Sequence, residues 1–255
     1  MGSDDDLPTV VARMWGREPA TRRGPRPGLT LRRITDAAIA IADAEGLAGV
    51  RMSSVAARLD VSTMSLYGYV TSKDDLLTAM VDAAAPDPPE PGTLAWRDYL
   101  ARWTRAHRDF LAAHPWLLEV SPLTPPIGPR TLRWLDRALT VLAGAGLGGA
   151  EAVNIASTLS AYAVSAATLQ TAMSGTVDEA GPEGPAGYTA LLARLVDPGG
   201  YPGLAAAIES GAFGAAPDWV EDADFTFGLT LLLDGIEALI ARRRRSAGPD
   251  ARRRP

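Results

Sequence analysis

A short segment in the first third of the chain concentrates side chains that can bind DNA. Thr63, Ser65 and Tyr67 carry hydroxyls, Met64 is apolar and Lys73 carries an ammonium group. Hydroxyls and a lysine are suitable donors for phosphate oxygens, and the Ser65 and Met64 side chains can approach thymine methyl groups. These groups could therefore both position and read a DNA duplex if one exposed helix presents them.

The apolar residues around these groups predict two short helices joined by a tight turn. Ala56 is small where two helices must cross closely, Val61 fills the turn, and Leu66 and Val70 face inward. Ser62 stands where a side chain can cap the second helix. This is the pattern of a helix-turn-helix, and a helical hairpin without a DNA role is the alternative. The predicted helices cover residues 53–59 and 63–70, with a turn at residues 60–62.

Flanking signals predict a further helix on each side. Apolar residues recur at helical spacing between Thr30, a candidate N-cap, and Gly46, which predicts a helix over 31–45. Ser72 stands three residues before Asp75, the spacing of a capping box, and we expect it to start a helix that ends near residue 84.

Together these segments resemble the tetracycline-repressor (TetR) family of transcriptional regulators. The resemblance covers about residues 30 to 84, where helix, turn, Leu66-Tyr67-x-x-Val70 and Ser72-Lys73-x-x-Leu76-Leu77 occur in the family's order and spacing. It implies that residues 63–70 form the recognition helix. Base edges or nearby phosphates are then contacted by Thr63, Met64, Ser65 and Tyr69, and phosphates by Tyr67 and Lys73.

Three residues depart from the family pattern. Asp60 replaces the usual turn glycine, Arg51 replaces a Ser or Thr cap, and Gly68 replaces a large residue inside the recognition helix. A glycine inside a helix costs about 1 kcal/mol relative to alanine. The departures predict few base contacts beyond Ser65.

The charge distribution favours DNA binding by the N-terminal part of the chain. The net charge is -5, but residues 13–73 carry ten Arg or Lys against five Asp or Glu. We interpret residues 1–28, which contain four prolines, as a flexible arm. Its Arg22, Arg23 and Arg26 could enter a minor groove, and a solvated tail is the alternative.

The rest of the chain predicts a larger helical domain. Helical patterns alternate with linkers rich in Gly and Pro, and strand-like alternation is absent. The fold class is therefore all-α. The resemblance to the family implies a three-helix DNA-binding domain followed by a ligand-binding and dimerisation domain. The predicted long helices cover about residues 93–113, 129–143, 149–173, 187–196 and 219–243. The predicted domains are a DNA-binding domain at 29–85, a helical domain at 92–243 and a basic tail at 244–255.

Aromatic residues along the helix that starts near residue 93 define a candidate ligand site. Trp103 and His107 share one helical face, and a polar imidazole among indoles describes an aromatic cavity as well as a solid core. The candidate ligand residues are Trp96, Leu100, Trp103, His107, Phe110 and Trp116.

Two later helices are candidates for a homodimer interface. Small residues line one of them, and the last helix has a heptad seam flanked by two glycines seven residues apart. These surfaces could instead pack within one protomer; the resemblance to the family favours a two-fold four-helix bundle. The candidates are Ala156, Ser160, Ala163, Phe225, Gly228, Leu229, Leu232, Gly235, Ile236 and Leu239.

Several other classes of protein are disfavoured. The chain has no cysteine and two histidines, which argues against thiol chemistry and a metal site, and we expect no cofactor. The glycine pattern Gly144-x-Gly146-x-x-Gly149 follows a helical segment and not a strand, so it predicts a turn and not a dinucleotide site. The acidic start lacks the features of a signal peptide, and no apolar run predicts a membrane span; we therefore expect a cytoplasmic protein.

The function expected from the sequence is a regulator that a small molecule releases from a palindromic operator. The alternative is an α-helical enzyme or small-molecule carrier with a vestigial helix-turn-helix.

Overall fold

A computed structural model describes residues 7–17, 28–120, 126–176, 185–213 and 222–246. Within these ranges all regular structure is helical, which confirms the predicted all-α class. The five long helices predicted from apolar periodicity are all present, and shorter helices add to them.

The N-terminal domain contains four helices arranged around one apolar core. Thr30 accepts a hydrogen bond from the Arg33 N–H and so caps the first of them, which ends at Gly46, as predicted. Gly46 adopts a φ of 72°, in the region that favours glycine. Ile34, Val55 and Leu76 are fully buried in the core. These helices are α2 (Leu31–Glu45), α3 (Met52–Arg58), α4 (Thr63–Tyr67) and α5 (Lys73–Ala84).

An additional helix, α1 (Thr9–Met14), precedes this domain, so these six residues of the predicted flexible arm at 1–28 are helical. Val10 and Val11 are buried in the same core as α2 to α5. Pro8 stands at the N-cap, where its missing N–H costs nothing. Six residues were too few for periodicity to reveal, but two adjacent valines suffice to anchor the helix.

The C-terminal domain begins with α6 and extends through α12. Six of its helices precede the last one in chain order. They are α6 (Trp96–Ala113), α7 (Trp116–Glu119), α8 (Pro129–Gly144), α9 (Gly149–Thr176), α10 (Pro185–Leu195) and α11 (Pro202–Glu209). The last helix is α12 (Ala223–Ser246), which includes Arg244 and Arg245 of the predicted basic tail.

The chain divides into two compact units. One comprises residues 1–168 with 232–255, and the other comprises residues 169–231. In the second unit α10 packs against α11, and the Thr189 hydroxyl donates a hydrogen bond to the Phe213 carbonyl. The described DNA-binding candidates and the ligand-binding candidates lie in the first unit. The candidate dimer helix α12 is divided between the two units.

One segment, Gly149–Ala172 in α9, is long and apolar enough to cross a membrane by length and composition. This differs from the expectation that no such segment exists. Core helices of soluble proteins pass the same test, and Ala156, Leu159 and Ala163 of this helix are buried in the protein. The segment is therefore weak evidence for a membrane span.

Candidate nucleic-acid interface and ligand site

The turn between α3 and α4 has the geometry that the helix-turn-helix pattern requires. Asp60 adopts a φ of 54°, in the left-handed region, so an aspartate takes the conformation for which a glycine was expected. The Val61 N–H then donates to the Ala56 carbonyl at 3.0 Å, and Ala56 itself is buried. The turn therefore directs α4 across α3.

Both ends of α4 differ from the sequence prediction. Ser62 makes no side-chain cap; its Oγ lies 2.8 Å from the Ser65 Oγ, and the two hydroxyls form a hydrogen bond. The helix ends at Tyr67, with Gly68 as C-cap, and is shorter than the predicted 63–70. The hydroxyl of Ser65 is thus held at the exposed start of the helix.

Most of the predicted DNA-binding residues lie on exposed surface. Met64 is 77% exposed and Tyr67 is 45% exposed, while Thr63 and Ser65 are partly exposed. Leu66 on the opposite side of α4 is fully buried, as is Val70 beyond it. The helix therefore buries one side and leaves the other open to a duplex.

Lys73 is held at the first turn of α5 by a reciprocal cap. The Ser72 hydroxyl accepts from the Asp75 N–H at 3.0 Å, and the Asp75 carboxylate accepts from the N–H of Thr71 at 2.9 Å and from its hydroxyl. This is the predicted Ser-x-x-Asp cap, with its return bond at Thr71. It fixes the backbone beside Lys73, whose side chain is exposed.

Tyr69 lies in a different position from the other candidates. Its hydroxyl donates to the Leu29 carbonyl at 2.8 Å, and the Arg13 guanidinium lies 5.3 Å from its ring centre. The side chain thus joins α1, the start of α2 and the end of the helix-turn-helix. Arg22, Arg23 and Arg26 lie outside the described residues.

Three of the aromatic rings in the C-terminal domain form a compact cluster. The ring centres of Trp103 and His107 are 5.6 Å apart, and each lies within 6 Å of Trp134. The Trp103 indole N–H donates to the Trp134 carbonyl at 3.1 Å, and the Trp134 indole N–H donates to the Pro86 carbonyl at 2.7 Å. Both indoles are therefore fixed, and they enclose the imidazole.

His107 is the residue of this cluster whose side chain has a polar atom without a hydrogen-bond partner. Its Nδ1 is buried and has no hydrogen-bond partner. Burial also lowers the pKa of His107 to about 4, so the ring is neutral at physiological pH. The residue nevertheless retains some accessible surface.

The remaining ligand candidates are spread more widely. Trp96 is partly buried near the start of α6, and Leu100 is fully buried one turn before Trp103. Phe110 lies edge-on to His114, with ring centres 5.7 Å apart. Trp116 belongs to the core that includes α2 and α5, away from the Trp103 cluster, because its indole N–H bonds to Asp43 of α2.

Sequence reasoning missed the role of Trp134. Its spacing marked it as part of an amphipathic helix, but nothing in the sequence pairs α8 with α6. Asp43 and Asp82 were missed for the same reason: their partners lie 73 and 48 or 49 residues away along the chain. Only tertiary packing brings them together.

Several candidate interface residues are buried within the protomer, as the alternative for these surfaces had it. They have relative exposures below 9% and are Ala156, Ala163, Phe225, Leu229 and Ile236. Ser160, Gly228, Leu232 and Leu239 are partly exposed, and Gly235 is exposed. In the first unit, other small or apolar residues of α9 and α12 are exposed, namely Val153, Ser157, Ala161 and Ala238.

A small pocket lies between these two helices. Its volume is about 70 Å³, and it is lined by Ile155, Thr158, Leu159, Leu232 and Ile236. Pockets for drug-sized ligands have volumes of roughly 300 to 1,000 Å³, so this one can hold a side chain but not such a ligand.

Comparison with known proteins agrees with this geometry. Residues 34–80 match the model of bacterial regulatory proteins of the tetR family, and residues 88–240 match the tetracyclin repressor-like C-terminal domain. The chain is 36% identical over 252 residues to the HTH-type transcriptional repressor DrrR1 of Streptomyces coeruleorubidus, covering 96% of this chain and 90% of the relative.

Solved structures show the same fold. Apo ActR of Streptomyces coelicolor superposes with a TM-score of 0.68 at 25% identity, covering 88% of this chain and all of that one. ActR in complex with actinorhodin gives a TM-score of 0.66 at 26% identity, covering 84% of this chain and 97% of that one.

The exposed recognition helix and the helical C-terminal domain define a helix-turn-helix transcriptional regulator. The chain belongs to the TetR family, which confirms the resemblance seen in residues 30 to 84. Its curated relatives are named as transcriptional regulators and repressors.

Proposed function

We propose that this regulator is a repressor that leaves its operator when an aromatic small molecule binds in the C-terminal domain. The observation that carries the proposal is the buried, unpartnered Nδ1 of His107 between Trp103 and Trp134. A buried polar atom without a partner costs about 1–3 kcal/mol, and a ligand that supplies the missing hydrogen bond recovers that energy.

The chemistry of the cluster favours a neutral, planar ligand with a hydrogen-bonding group. Because burial lowers the pKa of His107 to about 4, the site offers no positive charge there to attract an anion. Indole faces favour stacking against a flat aromatic molecule. The structural relative ActR forms a complex with actinorhodin, which supports a regulator that responds to a small molecule.

In the proposed complex with DNA, α4 enters the major groove. Ser65 and Met64 approach base edges, together with Thr63, while Tyr67 and Lys73 bind phosphates. Tyr69 serves the structure of the reading head, since its hydroxyl is already used by the Leu29 carbonyl. The arm residues Arg22, Arg23 and Arg26 remain candidates for the minor groove.

The proposed functional unit is a cytoplasmic homodimer formed through α9 and α12. Gly235 is exposed and a Cβ built there would meet no atom within 4 Å, so α12 has space at this position for a partner helix. The pocket of about 70 Å³ beside Leu232 has the size of an aliphatic side chain and could receive one from the partner. A two-fold dimer would place two recognition helices about one DNA turn apart, roughly 34–36 Å.

The experiment that tests the ligand response uses operator fragments selected from genomic DNA. Release of the parent protein from DNA is measured against a panel of planar aromatic compounds with hydrogen-bonding groups, with actinorhodin as the first probe. His107→Phe should keep its affinity for DNA but require about three- to tenfold more of any active compound, the equivalent of one lost hydrogen bond.

Arg102→Gln is the control, because Arg102 is an exposed residue of the same helix. If His107→Phe responds to each active compound as the parent does, His107 does not contact the ligand. If no compound releases the parent, the proposed mode of regulation fails.

A further inference from the structure

Helix α1 connects the N-terminal domain to the C-terminal domain. Val10 and Val11 anchor it in the N-terminal core, with exposures of 3% and 9%. Just beyond its end, the Trp15 indole N–H donates to the Ile127 carbonyl at 2.9 Å. Ile127 lies immediately before α8, so a helix that is packed in the N-terminal core is hydrogen-bonded to the start of a C-terminal helix.

Asp82 of α5 also forms hydrogen bonds at the start of α8. Its buried Oδ1 accepts from the backbone N–H groups of Arg130 and Thr131 at 2.9 and 2.8 Å, and from the Thr131 hydroxyl at 3.0 Å. The carboxylate therefore caps the first turn of α8, where its charge also complements the helix dipole.

The contact at Asp82 is close enough to restrict the backbone opposite it. A Cβ built on Gly128 would lie 2.1 Å from the Asp82 Oδ1, so only a glycine fits between Ile127 and the start of α8. Residues 127–131, which we call the α8 anchor, are therefore hydrogen-bonded by two separate elements of the N-terminal side, α1 and α5.

We propose that Trp15 and Asp82 are positioning residues that fix the angle of the recognition helix relative to the C-terminal domain, and thereby set the half-site spacing that the dimer accepts. This inference rests on the proposed dimer. The Asp43–Trp116 hydrogen bond and the apolar core shared with Leu111 and Leu117 also join the two domains. Trp15 and Asp82 add two hydrogen-bonded points at the start of α8, approached from different helices, and so restrict the remaining rotation of the N-terminal domain.

The distance between the two reading heads of a dimer tests this directly. The chain has no cysteine, so a single Ala57→Cys substitution on the exposed surface of α3 allows one spin label per protomer. Double electron–electron resonance then gives the label-to-label distance distribution in the full-length protein without DNA.

Three backgrounds are compared. Trp15→Phe removes the N–H donor and keeps an aromatic ring, Asp82→Ala removes the cap, and Thr9→Ala changes an exposed residue of α1 as the matched control. We expect a broader distance distribution for Trp15→Phe and Asp82→Ala and the parent distribution for Thr9→Ala. Thermal melting identifies any variant that is unfolded, and Trp15→Phe, which leaves the core valines in place, decides the result if Asp82→Ala does not fold.

A second measurement follows the functional consequence. The parent and the variants are titrated with a selected operator and with versions lengthened or shortened by one base pair between half-sites. The preference for the best spacing should fall about three- to tenfold in Trp15→Phe, the effect of one lost hydrogen bond on a conformational equilibrium.

The outcomes separate this inference from the function on which it rests. An unchanged distance distribution and an unchanged spacing preference in Trp15→Phe would overturn the role of the α8 anchor while leaving the dimeric regulator intact. The absence of any inter-label distance in the parent would overturn the dimer itself, and the inference with it.

Discussion

The indole N–H of Trp116 donates a 2.8 Å hydrogen bond to the Oδ1 of Asp43, which links α7 of the C-terminal domain to α2 of the N-terminal domain. The Nδ1 of His114 lies 2.8 Å from the same oxygen. Trp116 is almost wholly buried at this contact. The carboxylate therefore satisfies two side chains of the C-terminal domain from a single position on the first helix of the DNA-binding domain.

Replacement of Asp43 should destabilise the protein. Asp43→Ala leaves the Trp116 N–H buried without a partner, and we expect a loss of about 1–3 kcal/mol in the free energy of unfolding. Denaturant unfolding measures this loss. Asp36→Ala is the control, since Asp36 of the same helix makes only an exposed pair with Arg32 and should change stability by less than about 0.5 kcal/mol. Equal stabilities of the two variants would refute the role of Asp43.

Alanine substitutions at Gly128, the N-cap of α8, and at Gly144, its last residue, should change the stability of the protein in opposite directions. Gly128→Ala places a Cβ 2.1 Å from the Asp82 carboxylate and should cost about 1–3 kcal/mol through overpacking. Gly144→Ala, with no atom within 4 Å of its Cβ, should stabilise the helix end by up to about 1 kcal/mol. Thermal melts of the two variants measure the difference, and a Gly128→Ala protein that melts like the parent would show that the start of α8 is not tightly held.

The neutral state of His107 predicts a specific dependence of stability on pH. Burial lowers its pKa from 6.5 to about 4 in the folded protein, so the unfolded chain binds the proton more readily. Stability should therefore fall as the pH falls below 6.5 and reach its full loss below about pH 4, amounting to up to about 3 kcal/mol.

Comparison with His107→Gln isolates this contribution, because carboxylates titrate in both proteins. The difference in unfolding free energy between parent and variant should change between pH 6.5 and pH 4 and stay constant above pH 7.5. A pH-independent difference would mean that the imidazole is not held neutral.

The dimer proposal predicts that a side chain at Gly235 disturbs association without disturbing the protomer. Gly235→Leu meets no atom within 4 Å at its Cβ and adds helix propensity, so the protomer should fold normally. Against a partner helix the same side chain overpacks the interface. Sedimentation velocity should show a weaker dimer or a monomer, whereas Gly144→Leu on α8 should sediment as the parent does. An unchanged dimer in Gly235→Leu would place the interface elsewhere.

Local signals in the sequence predicted the DNA-binding domain well. Three of these features depend on hydrogen bonds between residues a few positions apart, which sequence spacing encodes. They are the cap at Thr30, the end of α2 at Gly46 and the cap at Ser72. Asp60 was identified only as a departure from the turn glycine of the family, and the structure shows that it adopts the left-handed conformation. The family's helix order then extended these local signals to a fold.

Contacts between distant segments could not be predicted in this way. Trp116 was grouped with Trp103 because it closely follows the helix that contains Trp103, yet its indole N–H is bonded to Asp43 of the N-terminal domain. The heptad seam of α12 was assigned to a partner, but periodicity cannot distinguish a partner helix from a neighbouring helix of the same protomer. Helix α1 was missed because its six residues are too few for a periodic pattern.

The central claim, that α4 reads DNA, is tested most directly by selecting duplexes from a random library with the parent, with Met64→Ala and Ser65→Ala, and with a Tyr67→Ala, Lys73→Ala double variant. The parent should enrich a pseudo-palindrome with half-sites about one helical turn apart. Met64→Ala and Ser65→Ala should change the preferred bases at particular positions, and the double variant should bind all sequences more weakly. If the folded double variant binds the selected operator with the parent's affinity and the single variants select the same bases, α4 is not the reading helix.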